Sequence, residues 1–161
     1  MEFKSLGALA LHLAEQEVAL LASLNAGLEK CAKKVEQTAK DEIGHYQAAV
    51  GPYFEWAPLA DATEAAKALA GYRADAPLEA SGEMRDSIEH KTMWLEAIIG
   101  SKDPKLFYHE FGTKNMPARG VMGPAVFRNK EYIRRVIGAA TISGLFKGSA
   151  IHASLGYDST L

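Results

Sequence analysis

A chain of 161 residues with a formal net charge of −2 is long enough for one domain that buries roughly 70% of its unfolded surface, so a core can form without disulfides. Its single cysteine, Cys31, excludes an internal disulfide, and the helical pattern around it is typical of a small buried hydrophobic residue. No stretch approaches about 18 uninterrupted apolar residues, and the first residues lack an apolar signal core, so the sequence predicts neither a membrane span nor export.

Charge is distributed unevenly along the chain. Residues 1–100 have a charge balance of −7, whereas residues 101–161 have a balance of +5. The C-terminal part could therefore face a phosphate backbone or an acidic neighbouring subunit. The alternative is that the folded domain mixes both parts over its surface, because charge sums along a sequence are weak guides to surface fields.

The first predicted element is a long helix from Ser5 to about Ile43. Its apolar residues recur at helical spacing: Leu6, Leu9, Leu13, Leu20, Leu24, Leu28, Cys31, Val35, Ala39 and Ile43. A continuous helix of that length would extend roughly 55 to 60 Å, which exceeds the width of a compact domain of this size. Either it breaks at Asn25-Ala26-Gly27, since glycine costs about 1 kcal/mol relative to alanine, or it continues and its overhanging apolar stripe needs a partner, which favours an oligomer.

A connector, a second helix and a further connector are predicted next. Residues 44–58 form the first connector, and Pro58 is expected in the first turn of a helix from Leu59 to about Ala70. The predicted apolar face of this helix comprises Leu59, Ala62, Ala66 and Leu69. Residues 74–80 form the second connector.

The middle of the chain predicts a small sheet. Ser81 is the expected N-cap of a short helix that runs straight into a strand. Residues 88–99 then predict two short strands, arranged as a hairpin that turns near Trp94. Residues 100–104 form a turn, and a strand or a short helix follows through Leu106 to Phe111.

The stretch from Phe107 to Val126 is the most distinctive part of the sequence. Its aromatic edges flank a loop of glycine, asparagine and proline, from Gly112 to Gly123, with the composition of a turn that a strand presents and a helix follows. Pro124 is predicted to open a third helix over residues 125–139. We predict an α+β fold over residues 1–140, a single domain with a long N-terminal helix and further helices packed on a small antiparallel sheet, with an extended loop; residues 141–161 form a C-terminal tail or extension.

None of the patterns typical of catalysis or metal binding is found. The five histidines have no HExxH spacing, and no cysteine pair accompanies them. Gly112-Thr113-Lys114 lacks the frame of a phosphate-binding loop, and no serine has a nearby base in a nucleophile elbow. The sequence therefore predicts no catalytic residue, no metal, no cofactor and no enzymatic activity. A metal site built from His90, His109 and a carboxylate is the weaker alternative.

Four basic residues are predicted to line one side of the third helix and are candidates for contact with DNA or with an acidic partner: Arg128, Lys130, Arg134 and Arg135. They lack the interleaved aromatic residues of a stacking platform, so sequence-specific readout is not expected. Non-specific attraction to phosphates is one interpretation. A solvated helix face, or pairing with the acidic part of a neighbour, is the other.

Several short segments, in a fixed order after the long N-terminal helix, resemble a known family. They are residues 56–63 (WAPLADAT), 81–88 (SGEMRDSI), 100–101 (GS), 108–113 (YHEFGT), 116–119 (MPAR) and 123–125 (GPA). Over about residues 5–140 the chain resembles the minor tail components, also called tail-completion or neck proteins, of long-tailed bacteriophages. The family usually has Pro-Phe-Leu or a close relative after the arginine, where this chain has Gly120-Val121-Met122.

The resemblance implies a non-enzymatic virion protein at the junction between phage head and tail, assembled in the host cytoplasm. It implies a homo-oligomeric ring, with six subunits expected because the tail tube and its terminator are hexameric. Its partners would be other neck and tail proteins, namely the connector, the tail terminator and the tail tube, with non-specific contact to DNA in the channel and none to a membrane. A tail terminator or head-side connector is the first alternative, and a small DNA-binding regulatory protein is an alternative from another class.

On this interpretation the loop after Phe111 is a contact element on a rigid scaffold. Gly112 permits an unusual backbone conformation, and Pro117 stiffens the tip of the loop. Lys114 and Arg119 are expected to contact an acidic neighbour or DNA. The expected contact residues are Tyr108, Glu110, Phe111, Gly112, Thr113, Lys114, Met116, Pro117 and Arg119. The alternative is that the glycines and prolines only shape a turn.

Overall fold

The computed structural model, which describes residues 5–146, has an α+β fold. Its helices are α1 (Leu6–Glu42), α2 (Asp61–Leu69), α3 (Glu83–Asp86), α4 (Pro104–Phe111), α5 (Met122–Arg128) and α6 (Lys130–Leu145). Two strands, β1 (Ile88–Met93) and β2 (Glu96–Ser101), form one antiparallel sheet. The predicted fold class is therefore confirmed, including the long N-terminal helix.

The described residues fall into two compact units that alternate along the sequence. The first unit comprises residues 5–32, 91–97 and 131–146, and the second comprises residues 33–90 and 98–130. The loop and the aromatic residues singled out in the sequence belong to the second unit.

Helix α1 is continuous, so the break considered at residues 25–27 does not occur. Gly27 is instead a close-packing position, since a Cβ added there would lie 2.9 Å from the Cβ of Ala140 in α6. Gly144 has the same role, with the added Cβ 2.6 Å from the Cα of Leu20. Glycine and alanine bring the two helices of the first unit together, and tertiary packing offsets the low helix propensity of Gly27.

The N-terminal half of α1 carries apolar side chains that the described residues leave exposed. No residue from Ser5 to Ala26 is buried, and Leu6, Leu11 and Val18 are among the most exposed aliphatic residues of the chain. Exposed apolar side chains of this kind are typical of a surface that another protein covers.

The core of the second unit combines the C-terminal end of α1 with residues from every later part of the unit. Its buried apolar residues include Val35, Ala39, Ile43, Trp56, Ala76, Met84, Ile88, Leu106, Val121 and Ala125. Cys31, one turn earlier in α1, is also buried, as the sequence predicted, and burial raises the pKa of its thiol.

The second predicted helix begins later than expected. Helix α2 starts at Asp61, after Ala60 as N-cap, and the carbonyl oxygens of Ala57 and Pro58 accept hydrogen bonds from Arg119 instead of starting a helix. None of its residues is buried, and Leu69 is almost fully exposed. The apolar face predicted for this helix is therefore not buried among residues 5–146.

The predicted hairpin is confirmed. Helix α3 runs through Ser87 into β1, although Gly82 rather than Ser81 is the N-cap residue. Trp94 and Leu95 form the turn, with positive φ angles of 49° and 60°, as a two-residue type I′ turn requires. The Leu95 N–H donates to Asn25 Oδ1 of α1 at 2.9 Å. This hydrogen bond fixes a turn that contains no glycine.

The third predicted helix is two helices. Asn129 separates α5 from α6, and its buried side-chain amide donates to the Ala125 carbonyl and to Thr38 Oγ1, both at 2.8 Å. Asparagine favours such local hydrogen bonds over continued helix. Helix α6 then extends to Leu145, past the predicted end at Ala139. The remainder of the predicted tail, residues 147–161, lies outside the described residues.

One buried carboxyl group has few polar partners. Glu42, the last residue of α1, is 3% exposed. Arg128 Nε lies 3.5 Å from its Oε1, but the geometry gives neither oxygen a hydrogen bond among the described residues. Burial raises the pKa of Glu42 to about 7, and the negative charge of Glu110 adds to the effect while Arg128 opposes it.

Because an unfolded glutamate ionises near its ordinary pKa, Glu42 stabilises the fold most at acid pH and loses this contribution as pH rises through about 7. We therefore expect Glu42→Gln to raise the free energy of unfolding by about 1–3 kcal/mol at about pH 8 and to change it little at about pH 4. Urea unfolding at both pH values measures the difference. Glu17→Gln, at an exposed position of α1, is the control, and an equal effect of Glu42→Gln at both pH values would contradict the assignment.

Candidate functional site

Helix α4 and the loop that follows it form the candidate site. Asp103 is the N-cap of α4, where its side chain accepts from the Lys105 N–H at 2.9 Å, and Pro104 occupies the first turn. An aspartate followed by proline is a strong helix start. Of the two alternatives predicted for the segment through Phe111, a strand or a short helix, the structure has the helix. The interpretation that a strand precedes the loop was therefore wrong.

An aromatic face is exposed on α4. Phe107, Tyr108 and Phe111 are 63%, 52% and 70% exposed. The ring centroids of Phe107 and Phe111, one helical turn apart, are 4.9 Å from each other, and those of Phe107 and Tyr108 are 6.1 Å apart. Three contacting aromatic rings in solvent are uncommon on a surface without a partner and are typical of interface centres.

The loop after α4 starts with a residue that must be glycine. Gly112 has φ 73° and ψ 178°, a region that only glycine occupies readily, which confirms the unusual backbone predicted for it. A Cβ there would lie 2.8 Å from Ala118 N and 2.9 Å from Met116 O. Thr113 and Met116 exchange backbone hydrogen bonds of 2.9 and 3.2 Å, so residues 114–115 form a tight turn at the tip.

Glu110 closes the base of the loop. Its Oε2 accepts from the N–H groups of Val121 and Met122 at 2.7 and 3.0 Å, and its Oε1 accepts from that of Gly123 at 3.1 Å. These N–H groups belong to the start of α5, where a helix has no backbone acceptor for them and where a negative charge is favoured. One carboxylate therefore joins the last turn of α4 to the first turn of α5.

Arg119 holds the returning limb of the loop. Its backbone N–H donates to the His109 carbonyl at 2.7 Å, and its guanidinium donates to the carbonyl oxygens of Ala57 (3.2 and 2.9 Å) and Pro58 (3.1 Å). Its side chain is buried, with the residue 5% exposed. Trp56 Nε1 donates to the neighbouring Gly120 carbonyl at 3.0 Å. The loop is thus tied to the connector before α2.

The structure divides the expected contact residues into two groups. Those at the surface are Tyr108, Phe111, Thr113, Lys114 and Pro117, with Gly112 and Met116 half-buried. Glu110 and Arg119 are turned inward and hold the loop, so we correct their expected role from contact to support. Phe107 belongs to the exposed aromatic face but was not in the expected set. Its spacing of four residues from Phe111 would have indicated this, had α4 been recognised as a helix.

Arg128 has internal partners. Its guanidinium donates to Gln47 Oε1 at 2.8 Å and to the Ala48 carbonyl at 3.3 Å, and its Nε is 3.5 Å from Glu42 Oε1. These contacts tie α5 to the segment after α1. Arg128 therefore has a structural role, and because it is also exposed, its contact with DNA or with an acidic partner stays a prediction.

The other three basic residues are exposed. Lys130 Nζ lies 6.0 Å from the centroid of the Phe127 ring, and Arg134 pairs with Glu131 at 3.2 Å. Such an exposed pair contributes little to stability. Arg135 is exposed on α6. Contact of these residues with phosphates or with an acidic partner stays a prediction.

Within residues 5–146, no group of three histidine, cysteine, aspartate or glutamate side chains lies close enough to hold a metal ion. His90 contacts Glu36 through Nδ1, and His109 lies in α4. None of the helices in this range is both long and apolar enough to cross a membrane.

Comparison of the chain with protein-family models, with curated proteins and with solved structures finds no match.

Replacement of Gly112 should distort the start of the loop. Gly112→Ala introduces a side chain into a glycine-only conformation and against two backbone atoms, so we expect the free energy of unfolding to fall by about 1–3 kcal/mol. Gly71→Ala is the matched control, because Gly71 also has a positive φ (79°) but has no atom within 4 Å of the added Cβ. An equal loss for both variants in urea unfolding would contradict the close approach at Gly112.

Loss of the Glu110 carboxylate should open the base of the loop. Glu110→Gln keeps the shape of the side chain but replaces one acceptor oxygen with an NH₂ donor, so we expect a loss of about 1–3 kcal/mol in stability. Hydrogen exchange at the amides of Val121, Met122 and Gly123 should become faster. Glu131→Gln, at an exposed glutamate, is the control, and unchanged exchange at these amides would show that Glu110 does not hold α5.

Proposed function

We propose that this protein is a structural subunit of the head–tail junction of a long-tailed phage, a neck or tail-completion protein that joins other proteins and catalyses no reaction. The proposal combines the resemblance of residues 56–63, 81–88, 108–113, 116–119 and 123–125 to that family with one structural observation. That observation is the aromatic face of Phe107, Tyr108 and Phe111, exposed on a helix whose neighbouring loop is fixed at its base.

A fixed aromatic face suits protein binding on energetic grounds. Aromatic side chains with few rotatable bonds lose little conformational entropy on docking, and they dominate the affinity of many interfaces. The cap by Glu110 and the clamp by Arg119 hold the loop beside this face before any partner arrives. Binding would then require little ordering of the backbone.

The exposed apolar residues of α1 support self-association as part of the same function. Leu11 and Val18 lie two turns apart on the N-terminal half of α1, and both are exposed. Burial of such side chains contributes roughly 1.5–3 kcal/mol each. A second copy of the chain that covers them would give the homo-oligomer, with a ring of six subunits as the family resemblance implies.

Binding of the purified protein to purified phage tails tests the proposal. Phe107→Ser together with Phe111→Ser should reduce binding to tails more than about tenfold, because aromatic residues at interface centres carry most of the affinity. Both side chains are already exposed, so the variant should fold. Phe54→Ser is the matched control, since Phe54 is 91% exposed outside the aromatic face, and it should bind as the unchanged protein does.

Negative-stain imaging of the mixtures, with solution mass of the protein alone, provides the readout. Particles at tail ends that disappear with the double variant would support the proposal. Unchanged binding of the double variant to tails would show that the aromatic face does not contact them. Salt-sensitive binding of duplex DNA by a monomer, without binding to tails, would overturn it in favour of a DNA-binding regulatory protein.

A further inference from the structure

The second unit contains a partly open cavity of about 400 Å³. Its walls come from the connector before α2, from α2 itself, from residues 78–85 and from α4 and the loop after it. Most of the wall is apolar, with Leu59, Leu78, Met84, Met116 and Pro117 as its principal apolar side chains. A cavity of this size and character is typical of a site for a small ligand or for one or two side chains of a partner.

Positively charged side chains line this cavity in excess. Lys67, Arg85, Lys105 and Arg119 line it, with Glu79 as the single carboxylate. Glu79 is already engaged by Arg73 at 3.2 Å and by Arg85 at 3.7 Å. Two further carboxylates lie just outside the walls, since Asp86 contacts Arg85 at 3.0 Å and Asp103 contacts Lys105 at 3.8 Å. The exposed cations Arg85 and Lys105 therefore have partners of their own.

Among residues 5–146, the two less exposed cations, Arg119 and Lys67, form no salt bridge with a carboxylate. Arg119 is 5% exposed, and within the described part of the chain its guanidinium contacts only carbonyl oxygens, those of Ala57 and Pro58. The Lys67 ammonium likewise donates only to the Ala76 carbonyl, and it forms no ion pair with a carboxylate of residues 5–146. Arg119 is buried and Lys67 is half-buried. A charge with restricted access to water and without a salt bridge is costly, so the cavity gains most when an anion enters it.

The electrostatic environment of the cavity agrees with this excess. Burial lowers the pKa of His109, another residue of the wall, and the positive charge of Arg119 lowers it further. Burial also lowers the pKa of Lys67, against the opposing effect of Glu79. The positive charge of Arg119 thus acts on His109, and the negative charge of Asp103 opposes it.

We propose that this cavity binds a carboxylate carried on an apolar stem, whose charge pairs with Arg119 and Lys67 while the stem lies against Met84, Met116 and the leucines of the wall. Arginine and lysine supply charge-assisted donors to carboxylate oxygens, and the apolar wall disfavours a fully hydrated anion such as free phosphate. The carboxylate could belong to a free small molecule or to an acidic residue beside an apolar one in a partner protein. The inference does not depend on the proposed function.

Titration of the full chain with phenylacetate, followed by NMR, tests the site. We expect saturable binding with a Kd on the order of 1 mM, as suits a ligand of this size. The neutral isostere phenylacetamide should bind about tenfold more weakly, because it lacks the charge. Binding should also raise the pKa of His109, since the anion offsets the charge of Arg119, and a merely structural role of Arg119 would leave this pKa unchanged.

Variants identify the residues that bind. Lys67→Met should weaken phenylacetate about tenfold, whereas Lys102→Met, at an exposed lysine paired with Glu89 away from the cavity, should leave it unchanged. Lys67→Met is preferred to a change at Arg119, which also supports the loop. A blocked Phe-Glu dipeptide and its Phe-Gln counterpart distinguish the sources. Tighter binding of the acidic dipeptide than of phenylacetate assigns the site to a partner protein, and the reverse order assigns it to a free carboxylate.

Three outcomes would overturn the inference. The first is the absence of saturable binding for phenylacetate and for the acidic dipeptide. The second is equal affinity for phenylacetate and phenylacetamide, which would show that the cavity does not recognise charge. The third is unchanged affinity in Lys67→Met, with circular dichroism showing that the variant is folded.

Discussion

The capping of α5 by the Glu110 carboxylate is the interaction on which the organisation of the second unit depends. Three N–H groups at a helix start need acceptors, and one side chain from the preceding helix supplies both oxygens. Each hydrogen bond to a charged group contributes about 1.5–3 kcal/mol. The cap therefore holds the end of α4 next to the start of α5. The residues between these two helices must form the loop, which begins where the aromatic face of α4 ends.

The same carboxylate has an electrostatic cost nearby. Glu110 and Glu42 repel each other, and this repulsion adds to the burial that raises the pKa of Glu42 to about 7. Glu110 has three donors, whereas Glu42 has only the 3.5 Å contact with Arg128. Glu42, which lacks such donors, holds its proton more strongly than an ordinary glutamate. The free energy of unfolding near neutral pH is therefore sensitive to Glu42, whereas Glu110 supports the loop.

Sequence reasoning predicted the elements whose signals are local. Helix α1 and the hairpin around Trp94 followed from periodicity and from turn position, and Gly112 followed from its setting in the loop. The interruption at Asn129 was missed because it depends on a side-chain hydrogen bond to Thr38, far away in sequence. The start of the second helix was misplaced because the carbonyls that would begin it are taken by Arg119.

The candidate site shows the same division. The motif around residues 108–119 located the loop, but no sequence pattern separates an arginine that reaches a partner from one that folds back on its own backbone. Arg119 is of the second kind because its acceptors are main-chain oxygens, which every residue has and which therefore leave no trace in the sequence. The cavity was also beyond prediction, since its walls come from three separate segments of the chain, residues 58–67, 78–85 and 105–119.

The two tryptophans of this chain occupy opposite environments. Trp56 is 5% exposed and donates its indole N–H to Gly120 beside the loop, whereas Trp94 is 83% exposed in the hairpin turn. Indole emission depends on contact with water, so the protein carries a blue-emitting and a red-emitting fluorophore whose signals separate under a collisional quencher. Removal of either one by substitution with phenylalanine leaves a single optical reporter, for the base of the loop or for the hairpin, without an attached dye.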